Sequence, residues 1–140
     1  MSARDSFHYV VRAGLEKEGW TITADPLSLK YGDAQIYIDL GAERILAAEK
    51  GEEKIAVEIK TFGADSVMYG FHLAIGQFIN YQVALENVEP SRTLYLAIPH
   101  PVYKTFFQSL LARSVVEKHN IKLLIYDSIK EEIITWIMAS

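Results

Sequence analysis

Asp39, Glu58 and Lys60 have the side-chain types and spacing to hold a divalent cation and a water. From Ile55 the residues alternate: Ile55, Val57, Ile59 and Thr61 share one side of an extended segment, and Ala56, Glu58 and Lys60 share the other. Upstream, Ile36, Ile38 and Leu40 alternate with Gln35, Tyr37 and Asp39, so Asp39 is again opposite the apolar set. Two strands burying the same face would bring Asp39 and Glu58 to one non-core surface, with Lys60 beside them. Carboxylates are hard oxygen ligands suited to Mg²⁺ or Mn²⁺, and Mg²⁺ commonly takes one or two of them while keeping several waters. The backbone carbonyl of Ile59, between Glu58 and Lys60, offers a further oxygen. Lys60 and the metal together would stabilise negative charge developing on a bound oxygen.

The elements that must position these groups follow from periodicity. Residues 2–17 read as a helix with Ser2 as N-cap and Phe7, Val10, Val11, Gly14 and Leu15 on one face, ended by Gly19. Residues 20–23 read as a strand and Asp25-Pro26 as a turn; residues 27–31 continue that strand or form its hairpin. Two extended pieces, 45–49 and 54–62, flank a turn at Lys50-Gly51-Glu52-Glu53. On a regular hairpin through Gly51, Ile45 and not Asp39 would face Glu58. Bringing Asp39 to Glu58 therefore requires a bend near Gly41. A long helix capped by Asp65 or Ser66 runs to about Glu86, with Val67, Phe71, Ala74, Ile75, Phe78 and Leu85 on its buried stripe. Gln77 and Tyr81 share a neighbouring face, four residues apart, and can reach the strand carrying Glu58. Thr93–Ile98 and Ile121–Tyr126 are short apolar runs of the kind covered on both faces. Residues 102–119 fit one helix or two, and residues 131–137 a strand or a short helix. The order predicts a single α/β domain over residues 1–140, a mixed β-sheet flanked by helices with an αβββαβ core.

Composition narrows the function classes. The chain has no cysteine, so disulfides and thiolate metal sites are excluded. No run of about 18 apolar residues occurs, and the N-terminus carries charges where a signal peptide would be apolar, which predicts a cytoplasmic protein without a membrane partner. The net charge is −4 and the basic residues are scattered, which argues against strong nonspecific DNA binding. His8, His72, His100 and His119 do not fall at metal-ligand spacing.

The Asp39 and Glu58-Ile59-Lys60 pattern resembles the PD-(D/E)xK nuclease superfamily, with Ile38 where a proline commonly precedes the Asp. Gln77-Phe78-Ile79-Asn80-Tyr81 resembles the Q-x-x-x-Y of its RecB-like branch. Over Phe7 to about Trp136 the chain is similar to the cyanobacterial XisH family: F-H-x-x-V-x-x-x-L-E-K-x-G-W-T-I-T-x-D-P-L, Y-I-D-L-G-A-E, E-I-K-x-F and F-H-x-A-I-G-Q-F-x-N-Y. The resemblance implies a restriction-endonuclease-like fold and a role in controlling excision of the fdxN DNA element. It implies catalytic residues Asp39, Glu58, Lys60, Gln77 and Tyr81, with Gln77 and Tyr81 positioning the phosphate or the lysine. The implied metal ligands are Asp39, Glu58 and the Ile59 carbonyl. A first-helix glutamate completes the metal site in many such proteins; Glu16 is the match here, the other reading being a solvated residue beside Lys17. Two functions stay open: Mg²⁺-dependent cleavage of DNA, or an idle nuclease-fold factor that binds a recombinase or companion excision factor. A homodimer, presenting two sites to two strands, is expected in either case.

Overall fold

A hairpin tightened by Gly51 sets the centre of the sheet. The glycine takes φ +61°, the left-handed region that L side chains avoid. Strands β4 (Arg44–Lys50) and β5 (Glu53–Ile59) then pair antiparallel from Lys50↔Glu53 to Arg44↔Ile59. The structure, a computed structural model, describes residues 3–36, 44–62 and 66–138. Around the hairpin run α1 (Ala3–Lys17), β1 (Thr21–Ala24), β2 (Leu29–Tyr31), β3 (Ala34–Ile36), α2 (Val67–Val88) and β6 (Arg92–Pro99). After them come α3 (His100–Lys104), a 3-10 turn (Phe106–Gln108), α4 (Leu110–Lys118), β7 (Leu123–Asp127) and β8 (Glu132–Ile137).

Six strands form one mixed sheet in the order β1-β4-β5-β6-β7-β8, parallel at β5–β6 and β6–β7 and antiparallel elsewhere; β2 and β3 form a separate hairpin. This is the expected α/β class, a mixed sheet flanked by helices. Without the β2–β3 hairpin, the chain order from α1 to β6 is helix, three strands, helix, strand, consistent with a nuclease-like core. The closing segment is a strand, and residues 100–118 are two helices separated by a 3-10 turn. Pro99 and Pro101 open the first of these helices, and Ser109 caps the second by accepting from the Ala112 N–H at 3.2 Å.

Each face of the sheet has its own core. On one, Val10, Val11 and Leu15 of α1 pack with Ile55, Val57, Ile59, Tyr95, Leu124 and Tyr126. On the other, Phe71, Ala74, Phe78, Tyr81, Ala84 and Leu85 of α2 pack with Ala56, Leu94, Leu96 and Ile98. β5 is thus buried on both sides from Ile55 onward. The alternation in 55–61 suggests one covered face and one open face. The crossover β5–α2–β6 joins parallel strands, and such a connection lays its helix on the sheet, so the polar face is roofed by α2.

Gly14 lets α1 close on β8. A Cβ there would lie 3.1 Å from Ile133 Cγ1 and 3.2 Å from its backbone nitrogen. The Lys17 ammonium donates to the carbonyls of Lys130 and Glu131 at 3.1 and 2.9 Å, and Trp136 Nε1 donates to Glu18 Oε1 at 3.0 Å. Gly14→Val is therefore expected to lower stability by about 1–3 kcal/mol through overpacking against strand backbone. The midpoint of urea unfolding measures this, and an unchanged midpoint would mean that α1 is free to lift off β8.

Candidate metal centre

β5 delivers Glu58 and Lys60 to the carboxyl ends of the parallel strands, the end at which open α/β sheets bind ligands. Glu58 is fully buried and Lys60 is 6 % exposed. Their alternation puts them on the face of Ala56, under α2. The backbone at Lys60 is pinned from two strands: its N–H donates to the Ala97 carbonyl at 3.1 Å, and the Tyr126 hydroxyl donates to its carbonyl at 3.3 Å. The Tyr126 bond joins residues distant in sequence, and only the apolar run ending in Tyr126 hints at it.

Both carboxylate oxygens of Glu58 are buried and make no hydrogen bond among the described residues, and the same holds for Oε1 of Gln77. Burial without a partner penalises the charged carboxylate and pushes the Glu58 pKa well above its ordinary value. Burial acts oppositely on Lys60, lowering its ammonium pKa to about 8. The Tyr81 hydroxyl is pushed up to about 12, first by burial and then by the negative charge of Glu58. Tyr81 thus lies within electrostatic reach of the carboxylate. It is more buried, at 6 % exposed, than an ordinary position on the flank of a helix.

The candidate residues are placed unequally. Glu58 and Tyr81 lie within electrostatic reach of each other between β5 and α2, Lys60 is buried two residues beyond Glu58, and Gln77 lies one helical turn before Tyr81. Ile59 is the last residue of β5, its side chain turned to the α1 face. Glu16 is exposed on α1, the helix that covers the opposite face from Glu58. Asp39 lies outside the described residues, as does the bend near Gly41. Ile45 is the cross-strand partner of Glu58, as a regular turn at Gly51 dictates. Among the described residues no three His, Cys, Asp or Glu side chains gather as a metal cluster. The orphaned oxygens of Glu58 fit a small oxygen-seeking cation as one carboxylate of its set, which Asp39 and the Ile59 carbonyl would complete.

Neighbouring polar groups at the strand ends have structural occupations. Asp127 Oδ1 accepts from the N–H groups of Ile129 and Lys130 at 2.9 and 3.0 Å, and these bonds hold its carboxyl below the usual range. Asp25 binds His8 Nε2 and Arg12 Nη1, each at 2.8 Å, tying α1 to the segment after β1. A cavity of about 170 Å³ opens at the other end of the parallel strands, lined by Arg92, Lys122 and Asn120. There the Arg92 guanidinium already donates to the Ile55 carbonyl at 2.9 Å and lies 3.4 Å from the Glu89 carboxylate.

Among the described residues no helix is long and apolar enough to cross a membrane. No curated protein matches the chain. Two solved structures do. A fdxN element excision controlling factor protein from Anabaena variabilis is 45% identical with a TM-score of 0.89, over 95% of this chain and 98% of that one. An XisH family protein from Nostoc punctiforme is 46% identical with a TM-score of 0.88, over 95% of this chain and 99% of that one. The family described as XisH protein matches residues 1–134 of the 140, and the chain belongs to the XisH family.

Proposed function

We propose that this protein is a Mg²⁺- or Mn²⁺-dependent endonuclease-like factor that acts on DNA phosphodiesters during programmed excision of a DNA element. The observation that carries the reading is Glu58: a carboxylate with both oxygens buried and unpartnered, two residues from a buried lysine, at the carboxyl end of a parallel strand. An unpaired buried carboxylate costs stability and is retained in few places other than functional ones. The Anabaena relative is a fdxN element excision controlling factor, and that supplies the DNA context.

Glu58, Asp39 and the Ile59 carbonyl would hold the metal. When bound, it would lower the pKa of a coordinated water and draw charge from a phosphate oxygen. Lys60, whose pKa near 8 keeps it mostly cationic at neutral pH, would face the phosphate and stabilise its developing charge. The Tyr81 hydroxyl stays protonated and donates, and Gln77 offers an amide for orienting phosphate or lysine.

A second reading rests on the roof over the site and on net charge. Glu58 has no solvent exposure and the chain carries −4, as suits an idle nuclease-fold protein that binds a recombinase or companion excision factor. Calorimetric titration with Mg²⁺ and Mn²⁺, followed by cleavage assays on plasmid and branched DNA, separates the two readings. Binding and cutting that both vanish in Glu58→Ala establish the nuclease. Absence of metal binding at millimolar concentration removes it and leaves the partner-binding protein.

A further inference from the structure

The outer face of α2 departs from that of an ordinary surface helix. Residues 67–85 contain no Asp, Glu, Lys or Arg, although a solvent face normally carries charge. Opposite the buried stripe run Tyr69, Leu73, Gly76, Asn80, Val83 and Asn87, all exposed, with Tyr69 at 60 %, Leu73 at 39 % and Val83 at 48 %. Their spacing alternates four and three residues, the seam of a helix pair. Gly76 sits mid-helix, where glycine costs about 1 kcal/mol relative to alanine. Among the described residues nothing calls for it, because a Cβ there would meet no atom of theirs within 4 Å.

We propose that this seam is the interface with a second copy of the chain, the two α2 helices packing antiparallel about a twofold axis near residue 78. The seam is self-complementary in that arrangement. Tyr69 faces the partner's Asn87, Leu73 faces the partner's Val83, and Gly76 faces the partner's Asn80, each contact occurring twice, as an isologous interface requires. Gly76 then has a purpose: it lets the helices approach and receives the Asn80 side chain. Charge agrees. Glu86 and the C-cap residue Glu89 lie at the C-terminal end of α2, and the first turn holds no acidic residue. An antiparallel pair sets these carboxylates beside the partner's helix N-terminus, where the backbone dipole favours negative charge. A parallel pair would instead bring like charges together. The inference is independent of the chemistry at Glu58.

Sedimentation velocity at micromolar concentration tests it. The wild type is expected at twice the chain mass. Leu73→Lys and Val83→Glu should each raise the dimer dissociation constant by more than about tenfold, the equivalent of about 1.4 kcal/mol. The double variant Leu73→Lys/Val83→Glu should dimerise again, because opposite charges then meet across the axis. Gly76→Arg, whose side chain enters open space in the monomer, should hold or raise the melting temperature of the monomer, because it removes the mid-helix glycine, and abolish the dimer. A monomeric wild type, a dimer indifferent to Leu73→Lys and to Gly76→Arg, or a double variant that stays monomeric would each overturn the proposal.

Discussion

Replacing Glu58 by Gln is expected to raise the stability of the metal-free protein while abolishing its response to divalent metal. Glu58 is fully buried, and neither oxygen has a hydrogen-bond partner among the described residues. Its pKa is raised by burial, so in the window above the ordinary value of 4.5 the folded state holds the proton more tightly than the unfolded chain. Stability from this group is complete below the unfolded pKa and is lost as pH rises through the folded one. Glutamine cannot ionise and has nearly the same shape. The variant should therefore gain about 1–3 kcal/mol once the wild-type carboxyl is forced to ionise, a rise of roughly 3–10 °C in melting temperature. Added Mg²⁺ or Mn²⁺ should stabilise the wild type by mass action and leave Glu58→Gln unchanged. Melting curves with and without metal, at neutral and alkaline pH, measure both effects. A variant that is less stable than wild type in the absence of metal would show that the carboxylate has a structural partner, and the metal reading would fail.

The same residue shows what was legible in the sequence. Ile55, Val57 and Ile59 announce a strand, and the turn at Gly51 fixes its register so closely that Ile45↔Glu58 follows by counting. What could not be counted was the second covering layer. Polar residues at alternate positions normally mark solvent, and here Glu58 and Lys60 alternate beneath α2. Only the parallel pairing of β5 with β6, a contact between segments joined by a whole helix, reveals that layer. Tyr81 shows the same limit. Its four-residue spacing from Gln77 places it on a flank of α2, but its depth depends on how the helix rolls on the sheet. The strand at 132–137 is open in the sequence for a related reason: six residues carry too little periodicity to separate strand from helix, and pairing with β7 decides the matter. For residues 27–31 the open choice is between continuing the first strand and forming a hairpin, and pairing of β2 with β3 decides it. The Tyr126 bond to the Lys60 carbonyl spans α2, β6, α3 and α4, and the apolar run ending in Tyr126 is the sole local hint of it.

Lys60→Met should divide function from stability along a different line. If the protein is the proposed nuclease, loss of the Lys60 cation is expected to reduce DNA cleavage by about 10²–10³. Metal binding should be retained or tightened, since a like charge leaves the neighbourhood of the cation. Lys60 is 6 % exposed, and burial lowers its pKa from 10.5 to about 8. Between those values the unfolded chain binds the proton more tightly than the folded protein, so wild-type stability from this group rises with pH across the window and is depressed below it. At pH 7 the methionine variant is therefore expected to be more stable by on the order of 1–3 kcal/mol. That advantage should shrink steadily from pH 8 toward pH 10. Tyr81 and Tyr126, whose hydroxyl pKa values are raised by burial, act in the opposite sense above pH 10 but are common to both proteins. Subtracting the two urea unfolding series at pH 7, 8, 9 and 10 isolates the lysine. An advantage that stayed constant with pH would mean the ammonium pays no burial penalty where it sits, and a cleavage rate untouched by the substitution would remove Lys60 from the reaction while leaving Glu58 in it.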